Sequence, residues 1–136
     1  MATQMEAVDE MLTLVKTTWD ANAGGAPLYY DNQDADRPDT PATFGRATVR
    51  HFDGGQISLG QQSLKRRSGA LFVQVFVPQG SGQYEIRTLS DQLMFALEEA
   101  NTVFVRLQDV QINELGADGT YFQVNVVANF SYDRVS

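Results

Sequence analysis

Residues 71–77, Leu-Phe-Val-Gln-Val-Phe-Val, constrain the fold of this chain more than any other stretch. In an extended chain successive side chains point to opposite sides. Leu71, Val73, Val75 and Val77 therefore share one face, while Phe72, Gln74 and Phe76 share the other. A strand that is apolar on both faces does not belong at a solvated edge. It is central in a sheet, or one of its faces meets another subunit. Pro78 and the glycines that follow it end the run, because proline has no N–H to give to a strand ladder.

The segments around this strand supply its neighbours. In residues 44–52, Ala47 and Val49 fall on one side and Arg46, Thr48 and Arg50 on the other, which predicts a half-exposed strand. A short strand at residues 28–30 precedes it, and another is expected at 57–59. At the start of the chain Met5, Val8, Leu12, Val15 and Trp19 recur at spacings of three and four, one face of a helix over about residues 3–22. Thr3 and Glu6 have the spacing of a capping box, and Gly24 and Gly25 stop the helix. Leu89, Leu93, Ala96, Leu97 and Ala100 mark a second helix, with Thr88 and Ser90 as its caps.

Downstream, Val103, Val105 and Leu107 share one strand phase and Val110 and Ile112 the other. A bulge near Gln108 and Asp109 reconciles them. Residues 116–119 have the glycine and aspartate chemistry of a hairpin turn, and Phe122, Val124, Val126, Ala128 and Phe130 then alternate with Tyr121, Gln123, Asn125 and Asn129. The expected fold is α+β: a mixed, mainly antiparallel sheet of about four to five strands with two helices packed on it, in the order helix, strands, helix, hairpin. Residues 31–42 read as a long exposed loop and 53–68 as a projecting one. Without an internal repeat or linker, residues 1–136 are expected to form a single domain.

Composition excludes several classes of function. A chain of 136 residues buries roughly two thirds of its unfolded surface, and 43% hydrophobic content with 8 Phe and 5 Tyr is enough for a core. The absence of cysteine removes disulfides, thiolate nucleophiles and sulfur-ligated metals, and fits a reducing compartment. The N-terminus lacks the basic start and apolar core of a signal peptide. The longest apolar run is interrupted by Gln74 and too short for a bilayer. These features predict a soluble cytosolic product, with no membrane partner. A net charge of −7 repels nucleic acid unless the basic residues are gathered on one surface.

The chemistry-bearing residues form no catalytic constellation. His51, the single histidine, lies in mid-strand beside Arg50 with no nucleophile elbow in the chain, so a structural or surface role is expected of it. Asn32, Asp34 and Asp36 begin like a calcium loop, but Arg37 stands where the turn glycine belongs and Thr43 where the bidentate glutamate belongs. Residues 78–82 sit between strand and helix as a phosphate cradle would, without the Gly-Lys-Ser/Thr ending. Lys65, Arg66 and Arg67 form a basic run with no interleaved aromatic to stack a base. A solvated loop, or contact with an acidic protein partner, fits that run better. No metal, cofactor or catalytic residue is expected.

The order of these features resembles the tail terminator, or tail completion, family of long-tailed bacteriophages. The resemblance runs from Trp19 to Asp133: an opening helix ending near Trp19, PLYYDNQ, the strand ATVRHF, SLG with a basic loop, RRSGALFVQVFVPQGSG, a helix carrying LSDQL, and the closing GADGTYFQVNVVANFSYD. The resemblance implies a homo-oligomeric ring, usually a hexamer, on the head-proximal end of the tail tube in the virion, assembled in the host cytoplasm. Such a ring stops tube polymerisation and joins the tail to the head connector. Its partners are the tail tube protein and the connector, and DNA passes through its lumen without specific binding. On this basis Asp53, Gly54, Gln62, Lys65, Arg66, Arg67, Phe72, Gln74 and Phe76 are the expected protein-interface residues. Another head-tail connector, neck or tube subunit is the alternative, and a small ligand-binding or enzymatic domain is a third.

Overall fold

The computed structural model describes residues 3–23, 26–30, 42–52, 55–56, 64–78, 84–100, 102, 105–118 and 121–135. Helix α1 spans Gln4–Asn22. Its start is fixed by the expected capping box: Thr3 Oγ1 accepts from the Glu6 amide at 3.2 Å, and Glu6 Oε1 accepts from the Thr3 amide at 3.0 Å. Two otherwise unpaired donors of the first turn are thereby satisfied. The buried stripe is Ala7, Met11, Val15 and Trp19, whereas Met5 is 76% exposed. The expected stripe through Met5, Val8 and Leu12 is thus rotated by about one residue in the first turns and coincides at Val15 and Trp19. The helix lies against both a second helix and the sheet, so it buries a wider arc than one three-and-four stripe describes.

Five strands form a sheet in the order β1-β2-β4-β6-β5: β1 Leu28–Tyr30, β2 Phe44–His51, β4 Leu64–Pro78, β6 Tyr121–Val135 and β5 Arg106–Asp118. A two-residue strand, β3 Gly55–Gln56, pairs with the early part of β4. β1 runs parallel to β2, and the remaining pairings are antiparallel. The two-faced strand is central, as its composition requires: β4 pairs with β2 on one side and along its whole length with β6 on the other. Leu71, Val73, Val75 and Val77 are fully buried in the core beneath α1 and α2.

The expected bulge is present. Leu107 pairs with Phe130 and Ile112 with Val126, so β5 uses one more residue than β6 between the same two rungs. Asp109 absorbs it with φ 54, the left-handed region that Asp tolerates better than most residues. A second shift lies between Glu114 and Gly116, where Gly116 takes φ 76. β5 continues past Gly116 to pair Asp118 with Tyr121, so the hairpin reverses later than expected.

Helix α2 spans Tyr84–Glu98 and starts well before the expected caps. Thr88 and Ser90 lie inside it, and Ser90 Oγ donates to the Ile86 carbonyl at 2.6 Å. A serine bonded to its own preceding turn satisfies itself in a helix interior, so its presence did not mark a terminus. Part of the segment expected to project is strand instead. Leu64 to Ser68 belong to β4 and Gly55–Gln56 is β3, while residues 57–63, with the strand expected at 57–59, lie outside the described residues, as do 31–41.

Candidate interaction surface

The two faces of the sheet differ in cover. Both helices pack on the side of Ala47, Leu71, Val73, Val75, Val124 and Val126. The opposite face is formed by Arg46, Thr48 and Arg50 of β2, Phe72, Gln74 and Phe76 of β4, and the Tyr121, Asn125 and Asn129 positions of β6. Among the described residues no helix lies over it. The alternation of β2 noted above is the local cause: its arginines had to point away from the core, and the antiparallel register sets Arg46 beside Gln74 and Thr48 beside Phe72.

This open face has three parts. At one end Phe44, Phe76 and Tyr121 are buried together with Tyr29 packed on them. Phe44 stacks on Phe76 with ring centres 4.5 Å apart, and Tyr121 meets Phe44 edge-on at 5.2 Å, geometries that aromatic quadrupoles favour. In the middle a shallow hollow of about 310 Å³ is lined by Arg46, Thr48, Arg50, Phe72, Gln74 and Asn125. At the far end Asp133 Oδ1 accepts from Arg66 Nε at 3.0 Å and lies 3.6 Å from Arg106 Nη2. The hydrogen bond from Arg66, with the nearby guanidinium charges, holds the Asp133 carboxyl below its ordinary pKa.

The expected interface residues are dispersed over this architecture. Asp53, Gly54 and Gln62 lie outside the described residues. Phe72 and Gln74 share the hollow and are half-buried, whereas Phe76 is 7% exposed and taken up in the aromatic end. The basic run Lys65, Arg66, Arg67 is strand rather than loop, and strand alternation divides it. Lys65 pairs with Arg134 in register, and its side chain is outside the described residues. Arg66 reaches Asp133 on the open face. Arg67 points to the other face, half-buried, with its Nε buried and without a hydrogen-bond partner among the described residues. Arg46 and Arg50, not in the expected set, complete the hollow. Their exposed strand phase was legible, but not which strand lay beside them.

His51 also takes a definite place. Its Nε2 is hydrogen-bonded with the Tyr132 hydroxyl at 2.8 Å, and its ring meets Phe130 edge-on at 5.2 Å. Burial, and then the Arg67 cation, push its pKa below the ordinary histidine value. Opposite it, Gly69 lets the strands close: a Cβ there would stand 2.0 Å from the Arg50 carbonyl oxygen and 2.7 Å from Phe130 Cζ. The histidine is engaged in packing. The chemistry on offer at the open face is that of guanidinium donors around an aromatic side chain in a polar depression, suited to carboxylates and rings presented by another protein.

No helix of the described residues is long and apolar enough to cross a membrane. Compared with known proteins, the chain matches the family described as "Phage tail terminator protein" over residues 6–130. None of the curated proteins matches it. A solved structure of 14% sequence identity superposes with a TM-score of 0.71, covering 100% of this chain and 97% of that one. At that identity the likeness is one of fold.

Proposed function

The chain belongs to the phage tail terminator family, and we propose that it forms a ring on the head-proximal end of the completed tail tube. There it ends tube polymerisation and presents the surface to which the head connector joins. The coarser role, a structural protein of the phage tail, follows from family membership alone. The ring reading draws on the open face of the sheet. A central strand with Phe72 and Gln74 half-buried on a side that no helix covers among the described residues, beside two arginines, is a surface that a neighbouring subunit can complete. Residues 53–67 are proposed to face an axial partner, and within that segment Arg66 reaches Asp133 on the open face. A net charge of −7 suits a channel through which DNA passes without being held.

The test is assembly on purified tail tubes, read by native mass spectrometry and electron microscopy. The expected product is a discrete ring at tube ends and no growth beyond it. Long tubes formed by this chain alone would make it a tube subunit. A chain that stays monomeric with and without tubes would refute the ring.

A further inference from the structure

The outer side of α2 carries a second stripe that the fold does not use. Tyr84, Thr88, Asp91, Phe95 and Glu98 recur at spacings of four and three on the side opposite the buried Ile86, Leu89, Leu93 and Leu97. Residues so spaced line one helix face. Tyr84 is 85% and Phe95 63% exposed, so the ridge displays two aromatic rings with carboxylates between and beyond them. The surrounding charge has one sign. The exposed positions of α1 and α2 hold six carboxylates against Lys16 and Arg87, and both cations already face carboxylates, Asp20 at 3.0 Å and Glu114 at 3.0 Å. Phe95 itself has Asp91 four residues before it and Glu98 and Glu99 three and four after it.

The opposite side of the molecule is complementary. The hollow over Phe72 is lined by Arg46 and Arg50 of β2 together with Gln74 and Asn125. We propose that this hollow receives the Phe95 ridge of a second copy of the chain, with Phe95 against Phe72 and the Asp91 and Glu98 carboxylates on Arg46 and Arg50. An aromatic anchor in a pocket whose rim carries opposite charge is the pattern of an energetically dominant contact. The donor ridge and the acceptor hollow lie on opposite layers, so each copy uses both, and the contact is head-to-tail. Such contacts close into rings when the rotation per step divides the circle. The inference rests on the proposed ring and adds which two faces build it.

The absence of cysteine makes the test direct. Glu98→Cys and Gln74→Cys are introduced singly and together, and each protein is treated with a short bismaleimide on purified tubes. The double variant is expected to give a ladder of covalent multimers ending at the ring number, and the single variants none. In parallel, Phe95→Ala and the pair Arg46→Glu/Arg50→Glu are expected to weaken ring formation roughly tenfold or more. Asp91→Arg/Glu98→Arg combined with Arg46→Glu/Arg50→Glu is expected to restore it, which also guards against misfolding of either set. A wild-type ring on the tubes without the ladder overturns the pairing of faces and leaves the ring reading intact, whereas no wild-type ring overturns both. Variants that keep the ring but lose the tube assign the hollow to the tube subunit and refute the proposal.

Discussion

Gly45→Ala is a sharp test of how the first helix is seated. Gly45 lies on the helix-facing side of β2 beneath the indole of Trp19, and a Cβ there would stand 2.6 Å from Cη2, 2.8 Å from Cζ3 and 3.0 Å from Cζ2. Carbon atoms in contact rest about 3.5–4.0 Å apart, so the ring must retreat by about 1 Å. It has little room to do so: Trp19 is 1% exposed, and its Nε1 donates to the Ala26 carbonyl at 2.8 Å. Overpacking of this kind costs about 1–3 kcal/mol. Gly45 is not among the positive-φ residues, so alanine also restricts the unfolded chain and returns about 0.4–1 kcal/mol. The net expectation is a loss of about 1–2 kcal/mol. Urea unfolding followed by far-ultraviolet circular dichroism on wild type, Gly45→Ala, Trp19→Phe and the double variant measures it. A phenyl ring lacks the benzo atoms nearest the new methyl, so Gly45→Ala in the Trp19→Phe background is expected to be neutral or stabilising. The two sites then couple by about 1–3 kcal/mol. Equal cost in both backgrounds, or stabilisation of the wild type, refutes the reasoning.

Gly69→Ala is expected to cost more than Gly45→Ala, about 3 kcal/mol or beyond, because its Cβ meets the Arg50 backbone rather than a side chain; a smaller loss in the same urea series contradicts the close strand approach. His51 is held below its ordinary pKa by burial and Arg67, so the unfolded chain binds the proton more readily. Its stability contribution is complete above about pH 6.5 and is lost as pH falls through the folded value. Wild type should therefore weaken between pH 7.5 and 5.5 more than His51→Gln does, and parallel urea midpoints would show otherwise. Asp133 is likewise lowered, chiefly by Arg66, so its contribution is present above about pH 4 and is lost below it. Arg66→Met should cost under about 1 kcal/mol at pH 7, given the exposure of the pair, with the difference shrinking in acid; a gap that persists undiminished as pH falls below 4 rules the pairing out as its source.

Periodicity made legible those properties that belong to one element at a time. The capping box of α1 is a local exchange of two hydrogen bonds between Thr3 and Glu6. The phase change between Leu107 and Ile112 required an extra residue wherever β5 was placed, and Asp109 supplied it. The burial of Leu71, Val73, Val75 and Val77 followed because no edge position could cover both faces of that strand. Where two elements compete for the same side chain the pattern gave less. The first turns of α1 present both Met5 with Val8 and Ala7 with Met11 to a plausible interior, and contact with α2 as well as the sheet selected the second pair.

The interaction surface was harder to read because it is made of register, and register is a relation between strands. Lys65, Arg66 and Arg67 look like one basic patch when read as a loop, yet as strand residues they separate. Arg66 goes to Asp133 on β6, while Arg67 turns towards His51 and Tyr132 on the covered side. Conversely Arg46, Phe72 and Asn125 share no local motif and meet because β2, β4 and β6 are adjacent in the sheet. The same register separates the two phenylalanines that were expected to act alike. Phe76 falls opposite Phe44 and is enclosed within the subunit, and Phe72 falls opposite Thr48, whose short side chain leaves the ring partly open between two arginines. A partner therefore finds on β4 a single accessible ring with cationic flanks, and an acidic, aromatic ridge such as that of α2 has the chemistry to occupy it.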